Sequence, residues 1–137
     1  MLFRSAELSG LAAQVPVIAG LMAFASFASM GLPGLSGFVG EFLSLLGAWN
    51  STAFGPWIVI VAALGVLFGA AYILWMLQRV VMGTPSEIVG GQPDIGVREL
   101  ATVMPLIVLI VVMGVYWGAL LRFTDPVLTT LAKLVGG

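Results

Sequence analysis

The sequence predicts an all-α, polytopic membrane protein. One broken transmembrane helix is expected over about residues 15–49, two continuous helices over about 56–82 and 99–121, and a short amphipathic helix at the C-terminus. Three observations predict this. First, 61% of the residues are hydrophobic and 8% are charged, with a mean hydropathy of +1.16; a soluble domain carries about 25% charged residues to solvate its surface. Second, the five basic and six acidic side chains are unevenly placed. Leu8–Gln78 holds only Glu41, and Leu100–Leu121 holds none. Third, the apolar runs approach or exceed the roughly 20 residues that a helix needs to cross a bilayer.

Val15–Trp49 is apolar but interrupted by Gly31-Leu32-Pro33-Gly34-Leu35-Ser36-Gly37. Each half is short for a full crossing, and together they make one helix broken in the middle. Gly31 can end the first half in a left-handed conformation, and Pro33 cannot continue it. Gly34 and Gly37 belong to the same break, and Ser36 is a candidate N-cap for the second half. A tight hairpin of two short helices is the alternative, but Gly31–Gly37 offers no charge to hold a turn at the interface. Irregular backbone at membrane depth must be satisfied by protein or by a water-filled cavity. Broken helices therefore point to transport, although a plain loop between two spans also fits the composition.

Trp57–Met82 spans 26 residues and Leu100–Leu121 spans 22. Both are long enough to cross, the first with room to tilt. Trp57, Trp75 and Trp117 lie toward their ends, where interfacial aromatics are expected. Arg79 at the end of the second run reads as a side chain snorkelling to the interface. Arg98 and Glu99 read as interface residues, and Glu99 also suits a helix N-terminus. In the tail, Val127, Leu128, Leu131, Leu134 and Val135 follow helical spacing from Pro126 onward, as in an amphipathic helix lying on the membrane or on a partner.

With three crossings, Arg4, Arg79 and Arg98 fall on one side, and Arg122 and Lys133 on the other. The basic bias places the 83–97 loop in the cytoplasm and Gly137 outside. Arg4 followed by apolar residues and Ala23-Phe24-Ala25 resembles a signal peptide, but Glu7 and the continuing membrane-like sequence argue against one. The absence of Cys and His excludes disulfides and the usual thiolate and imidazole metal sites. The net charge of −1 leaves no basic patch for nucleic acid. No phosphate-binding glycine loop or nucleophile–base pair is present, and the scattered methionines read as packing.

Glu41 is the candidate functional residue. A charge at the bilayer centre costs about 2.5–3.5 kcal/mol on insertion scales, so such residues face a cavity, pair with a cation or take up a proton. Apolar surroundings favour the neutral acid, and the start of the second half-helix favours the anion. A carboxyl so balanced can accept and release a proton, which a relay requires. Two blander readings stay open: Glu41 snorkels to water from a short hairpin, or it is a passive salt-bridge partner.

The segment Gly31-Leu32-Pro33-Gly34-Leu35-Ser36-Gly37-Phe38-Val39-Gly40-Glu41-Phe42 resembles the broken late helix of the antiporter-like subunits of respiratory complex I (NADH:quinone oxidoreductase). The Phe-Val-Gly-Glu-Phe version is similar to the M-subunit branch, whose mitochondrial counterpart is the fourth ND chain. The L and N branches carry Lys at the equivalent place. Ala70–Gly83 and Val97-Arg98-Glu99-Leu100 resemble the ends of the family's last two helices, so the resemblance covers nearly the whole chain.

The resemblance implies proton translocation coupled to electron transfer from NADH to quinone, with Glu41 as a terminal proton-bearing group. Partners would be the other membrane subunits and the lipid bilayer. This chain would hold no cofactor: NADH, FMN, iron–sulfur clusters and quinone would belong to other subunits. The setting would be a bacterial inner membrane or an organellar one. Family members have several times more spans, so residues 1–137 read as one transmembrane region, the C-terminal part of a larger subunit. The rival readings are a cation/proton antiporter or membrane-bound hydrogenase subunit, a structural membrane fragment, and a free-standing small transporter, against which the lack of an internal repeat argues.

Overall fold

The computed structural model describes residues 9–51, 55–85 and 90–135. Among them every regular element is a helix: α1 (Leu11–Gln14), α2 (Pro16–Ser29), α3 (Ser36–Asn50), α4 (Pro56–Val80), α5 (Val97–Val115) and α6 (Trp117–Val135).

Pro16 and Pro56 each open a helix, where the missing N–H is harmless and the fixed φ suits the first turn. α4 has 25 residues with a hydropathy of 2.5, and α5 has 19 with a hydropathy of 2.0. At 1.5 Å per residue they extend about 37 Å and 28 Å, the first longer than a hydrocarbon core of about 30 Å and the second close to matching it. α2 and α3, with 14 and 15 residues, reach only about 21–22 Å each. They form the two halves of the broken helix expected over 15–49. α3 lies against both α4 and α5, whereas α2 lies against α1 and α4.

Among the described residues the buried apolar ones are few: Val15, Ala19, Ala28, Val59, Leu77 and Val80. Large side chains on α4 face outward, Trp57 at 66%, Leu67 at 62% and Phe68 at 70% exposure. Such a surface is stable only against lipid or more protein, since each Å² of apolar area left in water forgoes about 25 cal/mol.

One end of the bundle is tied by polar contacts. Ser9 Oγ donates to the Thr84 carbonyl at 2.5 Å, and Ala12 N–H to the Val81 carbonyl at 3.1 Å. Gly10, with φ +74°, meets the Pro85 backbone so closely that no side chain fits there. The start of α1, the end of α4 and the loop before α5 thus share one side. Arg79 lies over the Trp75 ring at 4.1 Å, which holds the cation at the end of the span. Glu99 reaches back to accept the Gly96 N–H at 3.0 Å, as a third residue of a helix often does.

Two sequence expectations are corrected here. The third span does not run unbroken to Leu121: α5 stops at Val115, and Tyr116 (φ −107°, ψ 37°) leaves the helical region. The interruption falls in Gly114-Val115-Tyr116-Trp117-Gly118, where bulky residues of lower helix propensity stand between two glycines. The tail helix then begins at Trp117, not near Pro126, and Pro126 lies inside it. Pro126 forfeits a backbone N–H, while Thr129 and Thr130 donate their hydroxyls to its carbonyl at 3.1 and 2.7 Å.

Candidate functional site at the helix break

α2 ends in a Schellman motif. Met30 is the last near-helical residue and Gly31 turns left-handed with φ +75°. The Leu32 N–H donates to the Phe27 carbonyl at 3.2 Å, and the Gly31 N–H to the Ala28 carbonyl at 3.4 Å. These two bonds satisfy carbonyls that the helix end would otherwise expose at membrane depth. A turn closed by Leu35 N–H to the Leu32 carbonyl, at 3.0 Å, carries the chain past Pro33 and Gly34 (φ +97°).

The second half starts differently from expectation. Leu35 is the N-cap, in extended backbone, and Ser36 is the first helical residue, with no side-chain cap bond. Ser36 is one of the residues that line the groove beside α3.

Three glycines at or against the break, Gly31, Gly37 and Gly114, admit a close approach, whereas Gly34 has open space around it. At Gly37 an added Cβ would strike the Ala28 carbonyl, so the first turn of α3 rests directly on the last turn of α2. At Gly114 it would strike the Gly34 carbonyl and the Leu35 backbone, so the end of α5 is seated on the break. At Gly31 it would strike the carboxylate of Glu41. The acid of α3 thus folds back over the end of α2.

Glu41 lies in an open groove of about 540 Å³ that Ser36, Gly37, Gly40 and Ser44 line from α3, and Ala62 and Val66 from α4. It is the one ionisable residue among those lining it. Ala62 and Val66 sit six and ten residues into α4, roughly 9–15 Å from its start, well inside the span. Ser44 Oγ donates to the Gly40 carbonyl at 2.7 Å, a local bond that leaves the hydroxyl oxygen available to the groove. On the far face of α3, Phe38 and Phe42 stack with ring centroids 5.4 Å apart. They border a separate apolar groove of about 270 Å³ with Gly34, Gly114 and Trp117. α3 therefore presents one carboxylate-bearing face toward α4 and one aromatic face toward the junction of α5 and α6.

Of the residues singled out from sequence, Gly31, Gly34, Ser36, Gly37 and Glu41 converge here, while Pro33 is exposed and acts only by ending α2. Two contributors are not legible in the sequence. Gly114 is one. Asp94 is the other: its Oδ2 accepts the Val17 N–H at 2.8 Å, and its Oδ1 accepts Ile18 N–H at 3.2 Å and Ile95 N–H at 2.7 Å. It caps α2 from a position 77 residues downstream. Partial burial pushes its carboxyl up, but the N–H donors of Val17, Ile95 and Ile18 together outweigh this and hold it below the ordinary aspartate range. The preference of Asp for helix N-caps is readable locally, but which helix it serves is not. Among the described residues no group of His, Cys, Asp and Glu is arranged to hold a metal ion.

Comparison with known proteins agrees with this architecture. Residues 2–69 match the family model described as NADH:quinone oxidoreductase/Mrp antiporter, TM. NADH-quinone oxidoreductase subunit M of Rhodobacter capsulatus is 38% identical over 95% of this chain and 24% of its own length. NADH-quinone oxidoreductase subunit 13 of Thermus thermophilus is 38% identical over 93% of this chain and 26% of its length. NADH-ubiquinone oxidoreductase chain 4 of Marchantia polymorpha is 40% identical over 78% of this chain and 21% of its length. A chain in the structure of respiratory complex I from Thermus thermophilus with bound NADH superimposes with a TM-score of 0.85 at 35% identity, over 98% of this chain and 28% of that one. The chain thus spans about a quarter of the length of the relatives it matches. A broken helix with a carboxylate at the break, two continuous spans and these likenesses make one case: this membrane protein belongs to the NADH:quinone oxidoreductase/Mrp antiporter transmembrane family.

Proposed function

We propose that this chain is the C-terminal transmembrane region of a larger antiporter-like subunit, and that it helps to move protons across a membrane while NADH is oxidised and quinone reduced. The observation that carries this is Glu41, a lone carboxylate inside the span, at a helix break and beside a groove wide enough for water. A carboxyl can take a proton from water in the groove and return it as its surroundings change, and the two seryl hydroxyls beside it can orient that water. Redox chemistry would belong to other subunits, which hold NADH, flavin, iron–sulfur clusters and quinone. Partners would be neighbouring membrane subunits and lipid, in a bacterial plasma membrane or an organellar inner membrane. The 83–97 loop would face the cytoplasm or matrix.

The family description also names Mrp antiporters, so cation/proton exchange is the second reading. The names of the relatives favour the first. The test uses the complete subunit in membrane vesicles. Glu41→Gln keeps the shape but cannot carry a proton. Assembly on native gels with most NADH-driven proton uptake lost supports the relay. Normal uptake by an assembled Gln variant refutes it, and sodium-dependent proton flux without NADH favours exchange.

A further inference from the structure

α5 touches the broken helix at two points far apart. Just before its first turn, Asp94 bonds the Val17 and Ile18 N–H groups at 2.8 and 3.2 Å. Near its last turn, Gly114 receives the Gly34 carbonyl and the Leu35 backbone with no room for a side chain. From Val97 to Gly114, α5 covers about 26 Å as a helix. It therefore works as a splint that is tied to the start of α2 at one end and to the break at the other.

The consequence reaches Glu41. Its carboxylate occupies the space in front of Gly31, so any displacement of the α2 cap moves the carboxylate or opens a gap beneath it. We propose that Asp94 and Gly114 are positioning residues that set, through α5, the depth of the break and hence the seat of the Glu41 carboxyl. The inference rests on Glu41 being the proton-bearing group, and it adds residues that hold it. No other titratable side chain of the described helices lines the groove of Glu41. α2 has none, α3 has only Glu41, and α4 has Tyr72 and Arg79 toward its other end. α5 has Arg98 and Glu99 in its first turn, and α6 has Arg122, Asp125 and Lys133. Geometry, not a neighbouring charge from these helices, therefore governs the surroundings of the carboxyl.

The experiment measures how fast a hydrophobic carbodiimide modifies Glu41 in the complete subunit within native membranes, by peptide mass spectrometry across a pH series. Modification requires the protonated acid and access to it, so the rate and its pH midpoint report the seat directly. Asp94→Asn keeps one acceptor oxygen and loses the other. Gly114→Ala places a methyl group against the Gly34 carbonyl. Each is expected to change the rate about fivefold, the factor that corresponds to an ordinary capping interaction. Thr102→Ala, on α5 but away from both contacts, should behave as wild type. If the Asp94 and Gly114 variants assemble and label at the wild-type rate, the proposal is wrong. If neither assembles, α5 is a folding element only and the proposal is likewise wrong. The labelling rate does not depend on pumping, so a failure of the relay reading would appear in the Glu41→Gln assay and not here.

Discussion

The carboxylate of Glu41 lies over the Cα of Gly31, in the volume that any other side chain at residue 31 would fill. Gly31 is thus constrained twice: by its φ of +75° and by the acid above it. The first constraint is conformational and the second is steric, and the two can be separated. Left-handed backbone penalises an L-residue by about 1–2 kcal/mol.

Gly31→Ala is predicted to lower stability by about 2 kcal/mol from the backbone alone, with a further loss from the collision. Combining it with Glu41→Ala removes the collision and leaves the backbone penalty. The double variant should therefore be more stable than the sum of the singles by about 1 kcal/mol. Thermal or denaturant unfolding in detergent checks this, and strict additivity would show that the two residues do not meet.

Gly37→Ala is predicted to be destabilising by about 1–3 kcal/mol, although its φ requires no glycine. The added methyl group would press on the Ala28 carbonyl, which is backbone and cannot swing aside. Gly40→Ala is the control, since nothing lies within 4 Å of the place a Cβ would take there and the change should be small. The same unfolding assay compares the two.

Asp94 should make the α2 terminus acid-sensitive. Its carboxyl titrates below the ordinary 3.8 in the folded protein. The folded state therefore binds fewer protons than the unfolded one near that pH, and the stabilisation is complete above 3.8. It is lost as pH falls below 3.8 through the folded value. Protection of the Val17 and Ile18 amides, taken relative to the intrinsic exchange rate at each pH, is expected to fall in acid in the wild type. In Asp94→Asn the acid-induced loss of protection should disappear, and a wild-type profile in that variant would sink the assignment.

For orientation, a cysteine in place of Gln92 is predicted to react with a membrane-impermeant thiol reagent in inside-out vesicles and not in right-side-out ones. Gln92 is exposed in the loop between α4 and α5. The opposite pattern would invert the topology.

What is legible in the sequence is what local chemistry determines. Gly31 and Pro33 end a helix wherever they stand in such a pattern, and a lone Glu41 in an apolar run stands out by composition. The break, its glycines and the acid are therefore readable. Ser36 has the local signature of a cap, but Leu35, already extended, takes that place without a side-chain bond. The end of α5 is hidden because hydropathy continues through Tyr116 to Leu121 while the regular backbone does not. Gly114 and Asp94 are invisible for a different reason. Their roles are contacts with segments some 80 residues away, and no local pattern encodes a partner at that distance.

The capping of α2 by Asp94 also orders events during synthesis. Val17 and Ile18 emerge from the ribosome 77 and 76 residues ahead of the acceptor that completes their helix. Until Asp94 follows, the broken helix and α4 are inserted with the first turn of α2 uncapped. Chains arrested before residue 94 should accordingly show that turn frayed and open to proteolysis, and release of a few more residues should close it.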